Sequence, residues 1–219
     1  YLDRSKLSKY FVNYHIIPMV AAIWSMPFSK ARDIPLELFL NFFNNHGLFK
    51  LKNRPQWYTV TNRSRTYVYK VLEKIRGNYF KNYKIKKISR SEHNVRIFLE
   101  SLGDYRDYDH IVLCCHADES LKIIEDPTQD EKEILKEFTY IDNTAYLHTD
   151  INLMPNKKNA WSSWNSISKK DLTQTCVTYW LNKLQNLQTK ENYFLTLNPI
   201  CEIKENKIIK KVNFTHPYL

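Results

Sequence analysis

Glycine is nearly absent from this sequence. Gly47, Gly77 and Gly103 are the whole supply in 219 residues, and no two stand close enough to form a GxGxxG or Walker-type loop, whose glycines let the backbone wrap a pyrophosphate. The chain by itself therefore lacks the usual phosphate cradle. Cysteine is sparse too. Cys114, Cys115, Cys176 and Cys201 show no CxxC spacing, and two adjacent cysteines do not build an ordinary disulfide framework, which points to a reducing, cytoplasmic setting. Long apolar runs are also missing. The longest near the start, residues 16–24, falls well short of the roughly 20 residues of a membrane-spanning helix, so no transmembrane segment is expected. Residues 1–10 have neither the apolar core nor the small-residue cleavage site of a signal peptide. With Tyr1 in place of a methionine, the start reads as cut.

What is present suits a folded protein. Hydrophobic residues make up 43% of the chain and aromatics 14%, enough to build a core and too much for a solvated, disordered segment. One large domain or two small lobes fit the length. The net charge of +10 would suit nucleic acid or an anionic membrane surface, but the lysines are scattered rather than gathered into a stripe. A solvated basic surface accounts for them.

The periodicity changes along the chain. Leu7, Tyr10, Phe11, Tyr14 and Ile17 recur at helical spacing, and Pro18 should kink or restart that helix. Residues 35–46 predict a helix opened by Pro35 and closed by Gly47. Ser64 can cap a helix through Val68, Val71, Leu72 and Ile75, with Gly77 as its terminator. From Lys84 the period becomes two: Ile85 and Ile88, then Val95, Ile97 and Leu99, then residues 111–113 predict a small antiparallel sheet. Residues 116–124 predict a helix, and Thr128 with Glu131 forms a capping-box signature for another. Strands are expected near residues 140–147, 175–180, 193–197 and 208–214, with a polar loop at 155–159. The class is mixed α and β, without internal repeats.

No side chain stands out as catalytic. His148-x-Asp150 offers two metal-ligating groups, but no further His or Cys cluster lies at a spacing that completes a site. Cys114-Cys115-His116 invites a nucleophile-and-base reading, yet neighbours on a strand point to opposite faces, so a packed strand end is the plainer account. Arg54-Pro-Gln-Trp57 followed by Asn62-Arg-Ser-Arg65 places arginines beside a helix N-terminus, an anion-friendly location or simply a capped polar loop. Trp161 and Trp164 could face a flat ring or pack in the core.

Taken in order, ten segments carry a resemblance. HGLF (46–49), RPQW (54–57), SRTYV (64–68), HADESL (116–121), DPTQDE (126–131), LHTDINLMP (147–155), WSSWN (161–165), TYWLNKLQ (178–185), LTLNP (195–199) and HP (216–217) resemble successive motifs of the predicted NAD/FAD-binding proteins in the flavin-containing amine oxidoreductase superfamily. Members of that superfamily carry a GxGxxG segment before this region and a glycine-rich flavin-binding segment after it. Both are missing here, so the resemblance implies a fragment. It also departs at Thr61-Asn62, where relatives usually have paired glycines.

The resemblance implies an α+β or α/β architecture: part of an FAD/NAD(P)-binding domain with a mixed-sheet, helix-bearing substrate domain. Residues 1–76 would be the helical part of the substrate domain, 77–125 an FAD-domain β segment and helix, and 126–219 the substrate-domain mixed sheet. The implied cofactor is FAD, approached by Ile85, Cys115, His116, Ala117, Ser64 and Arg65. Trp57, Trp161 and Trp164 would line the substrate pocket. The implied chemistry is hydride transfer from a C–H bond of a small-molecule or lipid substrate to flavin, in the cytoplasm or against the inner membrane surface by peripheral contact, with electrons passed to an acceptor. A basic and aromatic nucleic-acid-binding module, or a degenerate flavin-fold scaffold, are the rival readings. The arginines and aromatics form no RRM, KH or zinc-finger pattern, so nucleic acid is not expected as a partner.

Overall fold

A computed structural model describes residues 1–169 and 174–218. In chain order the helices are α1 (Lys9–Phe11), α2 (Ile17–Ile23), α3 (Leu36–Asn45), α4 (Ser64–Leu72), α5 (Ala117–Ile123), α6 (Gln129–Lys136) and α7 (Leu181–Leu184). The strands are β1 (Ile85–Arg90), β2 (Val95–Leu99), β3 (Asp104–Tyr108), β4 (Thr139–His148), β5 (Trp164–Ser168), β6 (Thr175–Trp180), β7 (Phe194–Leu197) and β8 (Ile208–Tyr218). They form two antiparallel sheets, so the class is α+β. The chain divides into two compact units, one of Tyr1–Arg63 with Ile141–His216, the other of Ser64–Tyr140 with Pro217–Leu219. Among the described residues no helix is long and apolar enough to cross a membrane.

In the first unit the Ser8 hydroxyl accepts the Phe11 N–H at 3.1 Å and so opens α1. Between α1 and α2 the chain widens into a π-turn over Val12–Ile16, closed by the Ile17 N–H on the Val12 carbonyl. The sequence predicts a kink or restart at Pro18. The wider turn just ahead of it is what forms instead, because proline has no N–H and its ring crowds the carbonyl one turn back. Ile17, Pro18, Val20 and Ala21 of α2 are buried, and the helix packs on β5 and β6. The strand order is β5-β6-β7-β4-β8. The four strands expected in this region are present. Strand β5 was not expected, because Trp-Asn-Ser-Ile-Ser is too polar on its own to read as a strand. It is held by pairing Asn165 with Thr178 and Ile167 with Cys176.

The middle of this sheet is polar and dry. His148, Thr178 and Thr196 are fully buried. The Asp150 N–H donates to His148 Nδ1 at 3.1 Å, so His148 Nε2 carries the ring proton and donates to Thr196 Oγ1 at 2.7 Å. Thr196 and Thr178 share an O–H···O bond of 2.8 Å across the β6/β7 pair. Burial pushes the His148 imidazole below its ordinary pKa and keeps it neutral. Burial also pushes the Asp150 carboxyl up, but the Lys204 and Asn152 N–H groups, at 3.0 Å each, together with the nearby Lys204 charge, hold it below the usual carboxylate range. Both atoms of each group that sequence reading weighed as a metal ligand are thus taken up by the chain. Leu153, Cys176 and Ile203 close the core beside this row.

The second unit holds the β1-β2-β3 meander with α4, α5 and α6. The third strand of the predicted sheet is at Asp104–Tyr108, not at 111–113, which run outside the sheet as a connecting segment. Gly103, at φ +63°, turns the chain from β2 into β3. Strand β3 lacks an apolar alternation and is fixed instead by cross-strand partners: Arg96 on Asp107 at 2.7 and 3.0 Å, and Phe98 against Tyr105. The predicted capping box is formed: Thr128 Oγ1 accepts the Glu131 N–H and the Glu131 carboxylate accepts the Thr128 N–H. Helix α4 begins at Ser64 itself, with Asn62 and Arg63 both at positive φ. It ends at Leu72, well before Gly77, and buries none of its residues.

Arg90 joins this cap to the meander, with a two-pronged contact to Glu131 at 2.6 and 2.9 Å and a third bond to the Asp126 carbonyl at 2.7 Å. The Arg90 hydrogen bonds, with the Thr128 N–H, pull the Glu131 carboxyl down to about 2. A carboxyl depressed on folding stabilises above its ordinary pKa of about 4.3 and loses that contribution as pH falls toward the folded value. The melting temperature should therefore step down between about pH 4.5 and 2, and Glu131→Gln should remove part of that step; an unchanged step would take Glu131 out of the account. Thr196→Val, which leaves the His148 Nε2–H without its buried acceptor, should lower unfolding free energy in urea by ~1–3 kcal/mol.

Candidate functional site

The first unit contains an apolar chamber of about 650 Å³, within the range of small-molecule sites. Its walls follow from helical spacing. Leu36, Phe39, Leu40 and Phe43 form an i, i+3, i+4, i+7 stripe on α3, and they face Phe11, Ile17 and Val20 across the cavity. Helix α3 stops in a Schellman arrangement: the Gly47 N–H reaches the Asn44 carbonyl at 3.0 Å and the Leu48 N–H reaches the Phe43 carbonyl at 2.8 Å. That reversal swings Leu48 and Phe49 back onto the chamber. Polar groups at the wall are few: His15, whose ring stacks on Phe11, and Arg32 with Asp3. Arg32 reaches Asp3 Oδ1 at 3.4 Å and Asn13 Oδ1 at 3.3 Å.

The residues singled out from the sequence lie elsewhere. Trp57 is 64% exposed and lies alongside His46, with ring centroids 5.8 Å apart. Trp161 is half-buried, donates its indole N–H to the Pro155 carbonyl at 2.8 Å and meets Trp180 and Phe194 edge-on. Trp164 packs on Tyr179. Each of the three rings thus has its own partners, and the structure does not gather them around one pocket. The resemblance pointed to tryptophans as the pocket lining, whereas the chamber is walled mainly by Leu, Ile and Phe side chains. Its helix stripe was legible in residues 35–46, but Arg32 and His15 sit in no motif.

The six residues assigned to flavin contact all lie in the second unit, in three places. Ser64 and Arg65 start α4. Ile85 lines a small hollow of about 190 Å³ with Phe80, Tyr83 and Arg106. Cys115, His116 and Ala117 meet at Tyr140, which takes the Ala117 N–H on its hydroxyl at 2.7 Å and stacks on the His116 ring at 4.5 Å. Cys115 Sγ lies 3.2 Å from Ser120 Oγ. The first turn of α5 is acidic, with Asp118 and Glu119, which disfavours an anion there.

These residues do not fit a flavin's pyrophosphate. Among the described residues, Gly47 closes a helix, Gly103 turns a hairpin and Gly77 faces open space, so none opens a strand-to-helix turn that could cradle phosphate.

No protein-family model matches the sequence, and no curated protein matches it. Among solved structures the chain is similar to the crystal structure of a CLA-producing fatty acid isomerase from P. acnes, with 12% identity and a TM-score of 0.46 over 70% of this chain. The matched part spans 40% of that protein. A likeness of that size bears on neither ligand nor reaction.

Gly47 sets one wall of the chamber. It sits at φ +63°, and a Cβ there would lie 2.6 Å from Pro55 Cδ. Gly47→Ala is expected to cost ~1–3 kcal/mol of unfolding free energy from the left-handed backbone alone, measured by urea denaturation; a neutral result would show that the turn relaxes freely.

Proposed function

We propose that this chain is the substrate side of an FAD-dependent oxidoreductase of the amine-oxidase type, with the groups that grip the flavin supplied by polypeptide outside these 219 residues. The observation that carries the reading is the chamber of the first unit: it has the size of a substrate pocket and a mainly apolar lining. Such a chamber holds and orients a substrate body, which is the contribution a protein makes when a bound cofactor does the chemistry. The ten ordered segments of the resemblance support the same assignment. In this reading the second unit, with its meander and Tyr140 corner, belongs to the FAD-domain side.

The test is a visible absorption spectrum after incubation with excess FAD and desalting. The 219-residue chain should emerge colourless, and a polypeptide extended at both ends by the flanking native sequence should retain the flavin bands. Loss of flavin from both would sink the oxidoreductase reading and leave a scaffold that keeps the fold without the cofactor.

A further inference from the structure

We propose that the chamber of the first unit binds an amphiphilic monocarboxylate, with an alkyl or aromatic body among the α3 stripe and its carboxylate on Arg32. Calling that ligand a substrate rests on the reading above; its binding stands on the chamber alone.

The walls select the body. Phe11, Val20, Phe39 and Phe43 offer a continuous apolar surface and no hydrogen-bonding group, so a sugar or a nucleotide would leave polar atoms unpaired inside. The rim selects the head. Arg32 is the guanidinium at the chamber, and it is loosely engaged: its contacts, at 3.4 and 3.3 Å, are long beside the 2.7–2.9 Å of a well-made charge-assisted bond. The same chain makes such bonds when arginine has a committed partner, as in Arg90 to Glu131 at 2.6 Å and Arg96 to Asp107 at 2.7 Å.

The Asp3 side chain is 93% exposed, and an ion pair so exposed contributes little. A ligand carboxylate can take both prongs of the Arg32 fork in place of Asp3 and Asn13, as one bidentate contact instead of two long ones to separate side chains. An ammonium head would find the guanidinium beside it and only the outlying Asp3 to pair with. The chamber therefore discriminates against amines, although the superfamily that the sequence resembles is named for them.

The experiment uses the 219-residue chain without flavin, with 11-(dansylamino)undecanoic acid as the fluorescent probe and submicellar laurate, methyl laurate and dodecylamine as competitors. Laurate should displace the probe about tenfold more tightly than its methyl ester, a gap of one decade in dissociation constant, and dodecylamine should be weakest. Arg32→Gln should bring acid and ester together. Leu40→Trp, at a half-exposed wall position, should weaken all three, with circular dichroism confirming the fold of each variant. Equal displacement by acid and ester in the unaltered chain, tighter binding of the amine, or no displacement at all overturns the proposal without reference to any variant. Retention on phosphatidylglycerol vesicles in place of displacement by free laurate also overturns it, marking the face as a lipid-surface contact. Because no flavin is present, a failure here leaves the flavin test untouched, and the reverse holds as well.

Discussion

Three side chains that cannot see water fix the larger sheet. His148, Thr196 and Thr178 sit in one row across β4, β7 and β6, each with a polar atom that must find a partner inside the protein. A buried polar group left unpaired is expensive, whereas a fully satisfied row is not. The row therefore permits one register and penalises every slip, since a shift by one residue turns these side chains to the other face. Asp150 extends the constraint outward. It sets the imidazole tautomer through its own N–H and receives the N–H groups of Asn152 and Lys204 on its carboxylate. The chamber depends on this indirectly, because α2, one of its walls, packs on strands of that sheet.

Charge does the corresponding work in the second unit. The meander has little apolar alternation in its outer strand, and α4 buries nothing. Arg90 and Arg96 instead bind carboxylates on neighbouring elements. Both arginines are thus committed within the fold, and Lys84, Lys87 and Lys122 pair with Glu100, Glu125 and Asp118.

The parts of the fold with a local signal were legible. The capping box at Thr128 and Glu131, the left-handed stop at Gly47 and four strands of the larger sheet each depend on a few adjacent residues, and each is present. The misses have non-local causes. Strand β3 exists because Arg96 and Phe98 supply partners from the next strand, and β5 exists because β6 offers an edge. The chamber was half legible: its apolar stripe obeys helical period, but Arg32 and His15 come to it from separate segments with no motif to mark them. The tryptophans were singled out as flat aromatic faces, and aromatic character does not fix where a ring will pack.

The arrangement of the two units in the chain sets an order of assembly. The second unit is nearly continuous, from Ser64 to Tyr140, whereas the first is built from residues on either side of it. Helix α2 precedes the second unit in the chain, and the sheet it packs on follows that unit. Its partners β5 and β6 begin about 140 residues beyond Ile23, and Asp150 waits for Lys204, 54 residues further on. Contacts of such sequence separation form slowly and leave apolar surface uncovered meanwhile. The second unit can close on itself from a nearly continuous stretch, whereas the first closes only once the strands that follow that stretch, and Lys204 for Asp150, have joined the helices that precede it.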